Sequence, residues 1–125
     1  MEKEYTEEII MKKKQIISEN YLEKVPVQNR MLKWELTADG KVNLLVENTG
    51  FFNRMAQKLF GKPKITYVHL DDVGSFVWQI VDGEKNIIEL GKMVEKHFGE
   101  AAQPLYERLA KYFQILDSYR FIIWK

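Results

Sequence analysis

The sequence predicts an α+β fold, a three-stranded antiparallel meander followed by a three-helix bundle, and three observations carry the prediction. Strand-like runs fill residues 31–36, 42–47 and 64–70, with Asp39-Gly40 set between the first two. From Val73 the apolar period changes: Val73, Phe76, Val77, Ile80 and Val81 fall at i, i+3, i+4, i+7 and i+8, one face of a helix. Two further stripes of that period follow, each with its own start and stop signals. Strands first and helices afterwards is the α+β order. With a short turn between the first two helices, it is also the order of a winged helix-turn-helix.

Size and composition bound the function. A chain of 125 residues, 46% of them apolar, reads as one globular domain that buries about two-thirds of its unfolded surface. It contains no cysteine, which excludes disulfides, thiolate catalysis and Cys-ligated metal. A net charge of +1 offers few cations to set against phosphates, so nucleic acid is not the expected partner. No charge-free run is long enough to span a bilayer, and the first twenty residues lack the apolar block of a signal peptide. The expected location is the cytoplasm.

Residues 1–24 read as an N-terminal helical extension. Tyr5, Ile9, Ile10, Ile16 and Ile17 recur at helical spacing, with Glu2, Glu4, Glu7 and Glu8 early and Lys12–Lys14 later, as the helix dipole favours. A helix packed on its own domain is preferred to an arm that docks on a partner. Pro26 closes the extension, and the domain is expected over 25–125. Asp39-Gly40 between Met31–Leu36 and Val42–Glu47 is a hairpin signal, and Asn48-Thr49-Gly50 ends the second strand. Phe51, Phe52, Met55, Leu59 and Phe60 then return to helical spacing, with Arg54 and Lys58 between them and Gly61-Lys62-Pro63 as a stop. A short helical insertion over about 50–62 is expected there, as a lid on one sheet face. Gly61-Lys62 is no phosphate loop, because Ala56 stands where that motif needs glycine.

Lys64–Leu70 is the third strand. Ile65, Tyr67 and His69 face one side, Thr66, Val68 and Leu70 the other. With the second strand in the middle, the sheet has two open edges. Asp71 and Asp72 can each cap the helix that follows, and Gly83 suits its end. Asn86 with Glu89 three residues on is a capping box for the second helix, whose inner face is Ile87, Leu90, Gly91, Val94, His97 and Phe98. Pro104 suits the first position of the third helix, which carries the stripe Leu105, Leu109, Tyr112, Phe113 and Leu116. Phe121–Trp124 is a terminal strand or an apolar plug.

No chemistry-bearing constellation stands out. His69 and His97 are the two histidines, without metal-like spacing to carboxylates, and no metal or cofactor is expected. Ser75 has no histidine at motif spacing, so no catalytic residue is assigned. The third helix mixes Gln103, Arg108, Lys111, Gln114 and Arg120 with Glu100, Glu107 and Asp117, an ordinary solvated face rather than a DNA-reading one.

One pattern is more specific. Leu70-Asp71-x-x-Gly74-Ser75-x-x-Trp78, then Asp82-Gly83 and a capped helix, resembles the PqqD-like family, named for pyrroloquinoline quinone biosynthesis protein D. The resemblance runs on through Phe113-Gln114-Ile115-Leu116 and Phe121-Ile122. Departures are Asp71 for the family's Asn, Asn86-Ile87-Ile88-Glu89-Leu90 for its Thr-Val-x-x-Ile, and Arg120 for its late glycine. The extension and the insertion are additions, either of which could cover the sheet edge. The resemblance implies a precursor-peptide recognition element: a non-catalytic protein that binds a leader peptide and serves a modifying enzyme of the radical SAM type. It implies that the leader adds as a strand to Lys64, Ile65, Thr66, Tyr67, Val68, His69 and Leu70. Leu105, Arg108, Leu109, Tyr112 and Phe113 would then wall the groove beside it. The rival readings are a winged-helix DNA-binding regulator and a structural module that forms a homodimer through an edge strand or Phe121–Trp124.

Overall fold

The computed structural model describes residues 19–47 and 65–125. Most of the expected N-terminal helix, the expected insertion over 50–62 and Lys64 lie outside the described residues. In order, the elements are α1 (Glu19–Leu22), β1 (Pro26–Gln28), β2 (Lys33–Leu36), β3 (Val42–Glu47), β4 (Ile65–His69), α2 (Asp72–Ile80), α3 (Ile87–Phe98), a 3-10 turn (Gly99–Ala102), α4 (Leu105–Ser118) and β5 (Ile122–Trp124). The fold is α+β, with a three-stranded antiparallel sheet in the order β2-β3-β4 and a two-stranded ribbon of β1 and β5. The chain divides into two compact units, Arg30–Ser75 and the residues up to Asn29 with Phe76–Lys125.

In the first unit the Asp-Gly signal makes the hairpin. Gly40 takes φ +82°, its N–H donates to Thr37 O at 3.0 Å, and Thr37 N–H donates to Lys41 O at 2.8 Å. A left-handed residue costs glycine nothing there. Leu36 then pairs with Val42 and Lys33 with Leu45, while β4 pairs with β3 from Asn43↔His69 to Glu47↔Ile65. Trp34, Leu36, Val42, Leu44 and Val68 share one face, and its middle residues Val42 and Leu44 are fully buried.

The turn from β4 into α2 is locked by side chains. Gly74 N–H donates to Asp71 Oδ1 at 2.7 Å, so Asp71 is the cap; Asp72 is instead the first helical residue, 3.9 Å from the Lys41 ammonium. Ser75 is 1% exposed. Its hydroxyl accepts from Val42 N–H at 2.8 Å and donates to Leu70 O at 3.2 Å. Since Leu70 N–H donates to Val42 O, one half of that rung is direct and the other passes through Ser75.

In the second unit the three stripes meet as a core: Val77, Trp78 and Val81 from α2, Ile87, Leu90 and Val94 from α3, Leu109, Phe113 and Leu116 from α4. The capping box forms as expected, with Glu89 N–H on Asn86 Oδ1 at 2.9 Å and Asn86 N–H on Glu89 Oε1 at 3.0 Å. Three details differ from expectation. His97 is exposed rather than inward, stacked on Phe76 at 4.4 Å, because one more turn carries it past the buried stripe. α2 stops at Ile80, short of Gly83 (φ +78°), since Asp82 turns the chain first by accepting from Glu84 N–H and Lys85 N–H at 2.9 and 3.1 Å. The Lys85 ammonium and those two N–H groups hold the Asp82 carboxyl far below the usual carboxylate range. Pro104 precedes α4 as its cap instead of opening it.

The terminal run is a strand, one of the two forms expected for it, and its partner is β1: Pro26↔Trp124, Val27↔Ile123 and Gln28↔Ile122. Gln28 Nε2 donates to Trp78 O at 2.7 Å and ties the ribbon to α2. Lys24 lies over the rings of Tyr21 and Trp124 at 5.4 and 5.3 Å, a paired cation–π contact. Between α4 and β5, Arg120 adopts φ +59°. Arg120 N–H donates to Asp117 O and Phe121 N–H to Leu116 O, the two bonds of a Schellman motif with arginine at the position that favours glycine.

Candidate functional site

β4 forms an edge of the three-stranded sheet. The bond from Leu70 N–H to Val42 O, at 3.0 Å, sets the alternation of the antiparallel ladder. Thr66, Val68 and Leu70 turn their backbone groups to β3; Ile65, Tyr67 and His69 turn theirs away from it. Among the described residues no strand lies on that side. A strand edge of this kind is a template for a further strand.

The same three residues place their side chains on one face, next to a graded surface. Ile65 is half-buried, Tyr67 is 49% exposed and His69 is exposed. Across the ladder, half-buried Leu45 stands opposite Tyr67, and Asn43 stands opposite His69. His69 Nδ1 and Asn43 Oδ1 are 2.6 Å apart. An amide oxygen accepts, so Nδ1 carries the proton and Nε2 is the acceptor of the neutral ring. Glu47, opposite Ile65, is matched by Lys33 at 3.8 Å, so among the described residues the charge of that pair is balanced. The edge therefore runs from an apolar end at Ile65 and Tyr67 to a polar one at His69.

The other expected site residues are in the helical unit. Leu105, Leu109 and Phe113 are buried there. Arg108 and Tyr112 keep partial exposure. Arg108 Nη1 donates to Ala101 O at 2.9 Å, and the Tyr112 ring stands edge-on to Phe113 at 5.1 Å. The helical stripe marked Tyr112 like Leu105, Leu109 and Phe113, because spacing identifies a face without saying how deeply it is covered, whereas Arg108 entered through the family resemblance. Asn43 and Leu45 were missed. The hairpin fixed their place against β2, but with residues 48–64 between β3 and β4, no turn rule sets the register that brings Asn43 to His69.

Among the described residues no three His, Asp or Glu side chains gather as a metal site, and no helix is long and apolar enough to cross a membrane. The arrangement offers backbone pairing and side-chain selection.

A family model, that of coenzyme PQQ synthesis protein D (PqqD), matches residues 59–122, just over half of the chain. The chain belongs to the PqqD family. No curated protein and no solved structure matches it, so the family model alone carries the assignment. PqqD proteins are non-catalytic accessory proteins of coenzyme PQQ synthesis. The matched span holds β4, α2, α3 and α4 and excludes β1, β2 and β3. Within it, the PqqD-like pattern now has physical roles: Asp71 caps α2, Ser75 completes a rung of the sheet, and Trp78 fills the helical core.

Proposed function

We propose that this PqqD-family protein binds the leader segment of a precursor peptide by strand addition to β4 and presents it, in the cytoplasm, to a modifying enzyme of the radical SAM type. The observation that supports it is the register of β4, which directs the N–H and C=O groups of Ile65, Tyr67 and His69 away from β3. An extended peptide satisfies those groups, and it is the simplest ligand that does. Thr66 and Val68 are the alternate residues of the same strand, and Leu70 follows it.

The energies suffice. Four or five added hydrogen bonds at about 1 kcal/mol each and two buried apolar anchors at roughly 1.5–3 kcal/mol each oppose an association cost of several kcal/mol. The balance corresponds to micromolar to high-nanomolar binding.

The test is a titration of the full chain, labelled for NMR, with the leader of a precursor peptide encoded beside its gene. Saturable binding that shifts the amides of Ile65, Tyr67 and His69 is expected. Tyr67→Pro removes an N–H that β3 does not use, so it abolishes binding while the sheet persists. Absence of both heat and amide shifts at millimolar peptide retires the proposal.

A further inference from the structure

Backbone pairing along β4 is blind to side chains, so selection among peptides falls to the groups that flank the edge. Resting on the strand-addition reading, we infer that Tyr67 and His69, the latter oriented by Asn43, define what the guest strand must carry. Opposite Tyr67 it presents an apolar or aromatic residue; two positions away, opposite His69, it presents a hydrogen-bond donor such as Ser, Thr, Asn or Gln.

The geometry of an added strand leads there. Residues that exchange backbone bonds across a ladder stand directly opposite one another, with Cβ atoms about 4.5–5.5 Å apart. The guest residues facing Ile65, Tyr67 and His69 therefore share the face on which those side chains stand. Tyr67 is half exposed with Leu45 behind it, a surface that gains from apolar cover. His69 differs in kind. Its Nδ1 is engaged by Asn43 Oδ1 at 2.6 Å, which fixes the ring and leaves Nε2 as its acceptor. An aliphatic guest residue would cover that nitrogen without a donor, an expensive outcome at a desolvated edge. A second copy of this chain is a poorer occupant than a peptide. Antiparallel pairing of two β4 strands centred on Tyr67 sets His69 against Ile65, which has no side-chain donor to offer.

The probe is a displayed library of random twelve-residue peptides, selected on the intact chain and on His69→Phe and then remeasured singly by fluorescence anisotropy. The wild-type pool is expected to share an apolar or aromatic residue two positions from a donor, and the His69→Phe pool to keep the first preference and lose the second. For a selected peptide, replacing the donor residue by Ala weakens wild-type binding about tenfold and leaves His69→Phe binding unchanged, the non-additivity that marks a direct contact. Asn43→Leu, which frees the ring, is expected to reduce the donor preference in the same direction. Identical pools from wild type and His69→Phe, or equal losses in both proteins, overturn the assignment of His69 while strand addition stands. Binding that survives Tyr67→Pro, a wild-type pool that never enriches, or a β4-dependent dimer seen by light scattering overturns strand addition and this inference with it.

Discussion

Ser75→Ala is expected to destabilise the Arg30–Ser75 unit far more than the loss of one oxygen from a serine usually does. Ser75 Oγ sits inside the last rung between β3 and the residue after β4, accepting from Val42 N–H at 2.8 Å and donating to Leu70 O at 3.2 Å. Val42 is fully buried, so without the hydroxyl its N–H has no water to turn to. A buried donor left in that state costs about 1–3 kcal/mol, and the lost donation to Leu70, whose surroundings are half-buried, costs about 0.5–1 kcal/mol more. The expected loss is about 2–3 kcal/mol, or roughly 6–15 °C in Tm for a chain of this size. Urea unfolding measures the total, and hydrogen exchange at the Val42 amide locates it, with protection there falling most. A loss under about 0.5 kcal/mol with Val42 protection intact refutes the reasoning. It would show that Val42 N–H closes directly on Leu70 O and that the hydroxyl is dispensable.

Substitutions at three positions test the helical unit. Arg120→Gly relieves a left-handed arginine in the Schellman turn and is expected to raise stability by about 0.5–1 kcal/mol in urea unfolding, whereas Arg120→Val lowers it. Gly91→Ala places a Cβ 2.6 Å from Tyr106 Cε1, so the phenol must swing off α3 and give up its bond to Ile88 O; a loss of about 1 kcal/mol is expected. Burial, with Glu95 adding to it, raises the Tyr106 phenol, so the same variant lets that residue titrate nearer the ordinary tyrosine value in an ultraviolet titration. Tyr21 is pushed up to about 12, by burial first and by the Asp117 carboxylate second. Its pKa is higher folded than unfolded, so its share of stability is complete below about pH 10 and declines as pH rises toward 12. Tyr21→Phe is expected to flatten the stability profile in that window.

What this sequence determined by itself was local. The Asp39-Gly40 hairpin, the Asn86 and Glu89 capping box, the Asp71 cap and the helical stripes were legible because their partners lie within four residues and their geometry follows from backbone sterics. The glycine-type position at Arg120 was legible too, through its departure from the PqqD pattern. Tertiary structure decided what depends on distant pairing: β1 against β5, the Ser75 hydroxyl set into a rung of the sheet, and Asn43 brought opposite His69. It also separated Leu105, Leu109 and Phe113, which fill a core, from Arg108 and Tyr112, which keep surface. A periodic pattern says which face is apolar. How far that face is covered, and which residue meets which across a ladder, is set by the approach of segments whose spacing no turn rule fixes.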